Sequence, residues 1–261
     1  MEKLQKQLEQ IIKNSGEEVS ILIKELNKNE YIYNYNTKIK MISASIIKVP
    51  IMLAVLEEVY NKKISLNDKI LVENDDILED TEVFENGENH YTLEELINWM
   101  IIESDNTATN VIIKKFGMQN VNNYFTNILK LQHTNLQRYM LDENAIKNGF
   151  NNYTSQEDML IVFEKLFNKQ VLNEELCNKA IEILYNQRCQ NLIMRHIYQP
   201  VKYAHKTGIL DYINHDVGVM NINNKLYYIG ISIYNAKDIE GNKALIGNLG
   251  RIIFDYLSEI K

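Results

Sequence analysis

The chain is poor in the residues that stiffen or staple a backbone. Its 261 residues include two prolines, two cysteines, ten glycines and one tryptophan. Cys177 and Cys189 allow one crosslink at most, so a disulfide scaffold is excluded, and both thiols are read as reduced and structural. His90, His133, His196, His205 and His215 share no ligand spacing with cysteines or carboxylates, which argues against a metal centre and implies no cofactor. No apolar run is long enough to span a bilayer. The opening Met1-Glu2-Lys3-Leu4-Gln5-Lys6 lacks the apolar core of a secretory signal. A cytoplasmic chain is therefore expected, or an extracytoplasmic one if a leader was removed. A basic excess is missing too: 28 Lys and Arg stand against 35 Asp and Glu, scattered among one another, for a net charge of −7. That argues against a nucleic-acid or anionic-membrane partner.

What is present is ordinary globular material. Hydrophobic content of 45% and charged content of 24% suit a large buried core, as one big domain or two interleaved ones, and a monomer is expected. Leu4, Leu8, Ile11 and Ile12 recur at helical spacing, and Ser15-Gly16 closes that helix. A strand over 19–23, a turn at Asn27-Lys28-Asn29-Glu30 and a return strand over 31–36 follow. A short strand is expected at 69–72 and an acidic surface loop over 73–89. Thr92-Leu93-Glu94-Glu95 has the pattern of a capping box and starts a helix that ends near Ser104-Asp105-Asn106. Further helices are expected after 106, over 121–131, 155–167 and 173–185. Strand signals then return at 201–207, 215–222 and 226–234, before a last helix over 243–260. The plan is α+β. One antiparallel sheet lobe is drawn from both chain ends (1–40 and 197–261), a helical lobe from 41–196, with a cleft between them.

Three short motifs carry chemistry. The first is Ser45-Ile46-Ile47-Lys48 at the head of an apolar helix that runs on past Pro50, where a kink is expected. Residues three apart share a helix face, so the Lys48 amine can reach the Ser45 hydroxyl and take its proton once burial or a second cation lowers its pKa. The helix N-terminus adds free backbone N–H groups for a developing oxyanion. Ser258 to Lys261 repeats the spacing at the C-terminus, so the pair alone is also readable as a cap beside a solvated lysine. The second motif is Ser104-Asp105-Asn106 at a helix–helix junction, the third Lys206-Thr207-Gly208 on a late strand. Taken singly, Ser104 and Asn106 could be helix caps, and Lys206 to Gly208 a strand end before a turn.

Together, and in this order, the three motifs are the set shared by class A β-lactamases and penicillin-binding proteins. The chain resembles that family of penicillin-recognising serine hydrolases through Ser45 to Lys48, Tyr91 to Leu96 running into Ser104 to Asn110, and His205 to Gly208. The resemblance implies a five-stranded antiparallel sheet flanked by helices, plus an all-helical lobe. It implies that Ser45 attacks the amide carbonyl of a β-lactam or D-alanyl peptide and that Lys48 receives its proton. Ser104 would pass a proton to the leaving nitrogen, and Asn106 would bond the substrate's side-chain amide. Lys206 and Thr207 would bind its carboxylate, the Lys206 charge holding Lys48 neutral. The N–H groups of Ser45 and Ile209 would form the oxyanion hole, with Gly208 admitting the substrate backbone.

The family also carries a Glu, after Arg-Trp, that activates water for deacylation. Here the matching stretch runs from Arg138 and Tyr139 through Met140 to Asn144, and Met140 stands where the Glu is expected. A thioether takes no proton, so deacylation is expected to be slow. Asp142 or Glu143 could replace the base or could be solvated loop acids, the latter preferred. The acidic partner of the Arg is missing where Asn151, Asn152 and Tyr153 stand, which predicts a remodelled loop. Three activities stay open: a slow β-lactamase-like hydrolase, a D-alanyl peptidase or esterase, and a β-lactam-binding sensor that stays acylated.

Overall fold

The computed structural model describes residues 2–26, 28–79, 81–236 and 238–260. Expectations that touch Met1, Asn27, Asp80 and Lys261, the last of these the end of the second Ser-x-x-Lys spacing, lie outside the described residues at those positions.

Helix α1 (Glu2–Ser15) leads into strands β1 (Glu18–Glu25) and β2 (Tyr31–Tyr35), then the short β3 (Met41–Ile42). Helix α2 (Lys48–Tyr60) follows, then β4 (Lys69–Val72), β5 (Asn89–Thr92), α3 (Leu93–Asn98), α4 (Asn106–Phe116) and α5 (Met118–Tyr124). Helix α6 (Glu143–Lys147), β6 (Tyr153–Thr154), α7 (Gln156–Phe167) and α8 (Glu174–Tyr185) complete the helical middle. The chain closes with β7 (Lys202–Leu210), β8 (Ile213–Ile222), β9 (Lys225–Tyr234) and α9 (Ile239–Glu259). The main sheet has the order β2-β1-β9-β8-β7, antiparallel throughout, so strands from both chain ends pair at β1 and β9. This is the expected α+β architecture.

Alternation along each strand divides the core in two, because successive side chains point to opposite faces. Leu22, Ala204, Val217, Val219 and Tyr228 face the helical middle. Ile21, Ile23, Met220, Ile222, Ile229 and Ile231 face α1 and α9. Both faces are covered, which is why β1 and β9 carry nearly continuous apolar runs. Helix α2 is the axis of the helical block. Its first nine residues, Lys48 to Leu56, are all buried, as befits a helix that is apolar around its circumference. Helix α7 docks on the sheet through a polar joint: Gln156 donates to Ser232 Oγ (2.7 Å) and accepts from the Tyr228 hydroxyl (2.9 Å).

Several boundaries differ from expectation, each for a local reason. The Ser45 helix opens as a 3-10 turn over Ala44–Ile47 and becomes α-helical only at Lys48. Pro50 is then the third residue of α2, inside the first turn, where a missing N–H costs least. Helices α3 and α5 each widen into a π-turn, Trp99–Glu103 and Phe125–Leu129, ending at left-handed Ser104 and Lys130. Helix α6 was not anticipated. Asp142 nucleates it by accepting from Ala145 N at 2.9 Å. Strand β7 runs on through Gly208 to Leu210, which removes the reading of Lys206 to Gly208 as a strand end.

Candidate active site

Each motif reaches the cleft by a distinct backbone device. Ser45 sits half-buried in the 3-10 turn, immediately after Ala44, whose φ of 43° is unusual for a residue with a Cβ. Ser104 occupies the left-handed region at φ 60°, where the π-turn ends and the Asp105 N–H donates to Trp99 O at 3.0 Å. The cap of α4 is Asp105, not Ser104 or Asn106: its Oδ1 accepts from Ala108 N at 2.7 Å, and its Oδ2 accepts from Thr81 Oγ1 at 2.5 Å. With the capping role taken, the Ser104 and Asn106 side chains turn toward Lys48 instead.

The fully buried Lys48 amine donates to Ser104 O (2.6 Å) and Asn106 Oδ1 (2.8 Å) and lies 3.4 Å from Ser104 Oγ. From the sheet side Lys206, equally buried, donates to Ser104 Oγ at 2.9 Å and to Thr207 O at 3.0 Å. The Ser104 hydroxyl thus stands between two buried amines. Burial pulls the Lys206 pKa down to about 7, against smaller upward pulls from Cys189 and Asp216. Its charge near neutrality therefore depends on pH rather than being fixed. Gly208 lets β7 lie flush against the Ser45 turn. A Cβ there would come within 3.0 Å of Ser45 N and of the Ala44 side chain.

Behind Lys206 lies a polar cluster with no solvent exposure. His205 Nδ1 pairs with Asp216 Oδ1 (2.8 Å) while its ring stacks on Tyr203, and Asp216 Oδ2 accepts from Ile193 N (3.0 Å). His215, opposite Gly208 in the β7–β8 register, pairs with Ile42 O through Nε2 at 2.9 Å. Burial pushes its pKa down to about 4, so it is neutral at ordinary pH.

The loop around Arg138 and Met140 is tied down by amides. Arg138 Nε donates to Asn151 Oδ1 (3.0 Å), and Asn152 Oδ1 accepts from Gln137 N and Arg138 N (2.8 and 3.1 Å). Burial lowers the Arg138 pKa from its usual value. Met140 is fixed by a two-way bond with Asn110: its N–H donates to Asn110 Oδ1 (2.7 Å) and its carbonyl accepts from Asn110 Nδ2 (3.1 Å). A cleft of about 620 Å³ opens here, lined by Ser45, Asn106, Arg138, Met140 and Ile209, and by Leu210, Tyr212 and Ile239.

The structure brings Ser45, Lys48, Ser104, Asn106, Lys206 and Gly208 to one place, with Thr207 buried beside Lys206. It does not bring Asp142, Glu143 or Asn144 to the cleft wall. Asp142 caps α6, Glu143 pairs with Lys147 at 3.2 Å on the surface, and Asn144 O accepts from Asn148. Among the described residues no group of three or more His, Cys, Asp or Glu could hold a metal ion, and both cysteines are free.

Residues 3–257 match the model of the β-lactamase enzyme family. The chain belongs to that family. It is 25% identical to β-lactamase VEB-1 of Pseudomonas aeruginosa over 274 aligned residues, covering 95% of this chain and 88% of that protein. Solved structures share the fold at lower identity. A β-lactamase from Sphaerobacter thermophilus superposes with a TM-score of 0.87 at 23% identity, covering 97% of each chain. PBP-A gives 0.89 at 22%, covering 99% of this chain and 97% of that one. The TLA-3 extended-spectrum β-lactamase gives 0.91 at 19%, covering 99% of both.

Within this β-lactamase-family cleft, sequence reasoning missed the His205–Asp216 pair, His215, Asn110 and the apolar cleft lining. One signal was available. Asn214, His215 and Asp216 are three consecutive polar residues inside a strand, and all three are wholly buried. Polar groups in such a place are there to hold something.

Proposed function

We propose that this β-lactamase-type hydrolase forms an acyl-enzyme at Ser45 with β-lactams or related amides and esters, and that the adduct breaks down slowly. One observation carries the reading: the Ser104 hydroxyl lies between the buried Lys48 and Lys206 amines beside the Ser45 turn. The slow breakdown rests on the resemblance, which expects a Glu where the sequence has Met140. The two chain-end segments, 1–40 and 197–261, act as one wall of the cleft and 41–196 as the other.

Ser45 Oγ bonds to the substrate carbonyl carbon as its proton moves to Lys48. The carbonyl oxygen becomes the oxyanion, received by the N–H groups of Ser45 and Ile209. When the C–N or C–O bond of the leaving group breaks, Ser104 hands a proton to the departing atom and is reprotonated from the amine side. Asn106 bonds the acyl side-chain amide, and Lys206 with Thr207 receives a substrate carboxylate. Deacylation needs a water stripped of its proton at the loop. Met140 cannot do that, and losing a general base slows such a step by roughly 10²- to 10⁴-fold. Arg138 shapes that loop through its bonds to Asn151 and Tyr139 O. A PBP-A variant of the same fold has been solved as a penicillin G acyl-enzyme complex, which is consistent with a long-lived adduct here.

Intact mass and burst kinetics with a chromogenic cephalosporin test the reading. The expected result is a stoichiometric burst, a mass increase of one acyl group, and a slow steady phase, all absent in Ser45→Ala. Met140→Glu is expected to speed the slow phase by about 10²-fold or more. Fast wild-type turnover would refute the deacylation claim. Inertness toward β-lactams with hydrolysis of an ester or D-Ala-D-Ala peptide would move the protein to the peptidase or esterase reading.

A further inference from the structure

Large apolar side chains on a protein surface are usually scattered, and a concentration of them in one cleft marks where apolar matter is bound. Four lie in the wall of the Ser45 cleft: Leu141 (49% exposed), Ile146 (41%), Tyr212 (42%) and Ile209 (37%). Met140 and Leu210 join them, so an apolar wall from the loop faces an apolar wall from the β7–β8 turn, with Ser45 between. The charged groups that line this cleft are Arg138 and Asp211. Arg138 is buried, its guanidinium bonded to Asn151 and to Tyr139 O (3.0 and 2.9 Å), whereas Asp211 is the exposed charge at the rim.

The cavity on the far side of Ser104 has the opposite character. It measures about 510 Å³ and is lined by Glu82, Glu103, Asp105 and Arg188 alongside Val83 and Trp99. The two halves meet at the reacting serines. Ser45 and Asn106 belong to the apolar half, Ser104 to the polar one. A leaving group that takes its proton from Ser104 departs toward the polar side, so the acyl group lies between the apolar walls.

We infer that the cleft selects its substrate by the acyl group: the protein takes acyl donors whose acyl part is a bulky, uncharged alkyl or aryl chain. This rests on the acyl-enzyme reading above and narrows it. In these terms Met140 is part of an apolar acyl site, and the loss of a base is the consequence of building that site. A volume of about 620 Å³ accommodates a group of that size. An acyl chain carrying a carboxylate would meet the exposed Asp211, while the cation of the lining, Arg138, is buried and turned to Asn151 and Tyr139 O.

The test uses p-nitrophenyl esters of straight-chain acids from acetyl to octanoyl, so that the leaving group is constant. The second-order acylation constant is expected to rise about threefold for each added methylene until the walls are filled. A terminal carboxylate on the same chain should cancel the gain. Ile146→Asp and Tyr212→Ser, neither of which touches a reacting atom, should flatten the chain-length slope while the acetyl ester still labels Ser45. A flat slope in the wild type with Ser45 labelled by every ester would overturn the inference and leave the acyl-enzyme reading standing. Failure of every ester and of penicillin to label Ser45 would overturn both.

Discussion

The charge on Lys206 is set by burial. An exposed lysine stays protonated to about pH 10, but burial draws this amine down to about 7. Below that pH it is an ammonium, above it a neutral amine that still donates to Ser104 Oγ and Thr207 O. A substrate carboxylate is attracted to the charged form alone. The preference for a donor whose leaving group carries a carboxylate over an otherwise matched neutral ester should therefore be full below about pH 7 and fall about tenfold per unit above it. Acylation constants for the two donors measured from pH 6 to about 9 check this. A constant ratio across that range would mean that Lys206 does not meet the carboxylate.

At the level of elements, the loop between α5 and α7 holds its shape with neutral side chains, as the absence of an acid at 151–153 leads one to expect. Asn152 is the keystone, accepting from Gln137 N and Arg138 N and donating to Arg138 O at 3.1 Å. Its neighbour Ser43 donates a backbone N–H to Asn152 O at 2.9 Å, so the loop and the Ser45 turn share one anchor. Removing the amide leaves two N–H groups and a carbonyl without their partner, a loss of about 2–4 kcal/mol. Asn152→Ala is expected to lower the unfolding midpoint and to speed amide exchange at residues 137–140 more than at the sheet. Unchanged exchange in that stretch would mean that the loop is held by packing alone.

For the whole molecule, the decisive contact is between the sheet and the helical block. His215 on β8 reaches across to Ile42 O on β3, and a wholly buried imidazole there is stable only when neutral. Its folded pKa, about 4, is depressed below the unfolded value near 6.5. The unfolded chain thus binds a proton that the native chain refuses, and stability falls as pH drops from about 6.5 to about 4, then levels. The size of the effect is on the order of 3 kcal/mol. Chemical denaturation at pH 7, 5 and 4 should show this loss in the wild type. His215→Gln should start less stable and lack that part of the slope. Equal slopes in the two proteins would place the acid sensitivity elsewhere.

The sequence alone determined the class of elements, the pairing of chain ends into one sheet and the identity of the three motifs. Those features are written in short-range signals: apolar periodicity, caps such as Thr92 with Glu95, and Asn223-Asn224, which turns β8 into β9 with both residues at positive φ. That Met140 stands where the resemblance expects a Glu was legible too, being a matter of residue type. Which side chains meet was not. That Asp105 rather than Ser104 caps α4, that two lysines 158 positions apart share one hydroxyl, and that Met140 belongs to an apolar wall all depend on long-range packing. A burial-driven pKa such as that of Lys206 is of the same kind, since it comes from what excludes water and not from the chain's neighbours in sequence.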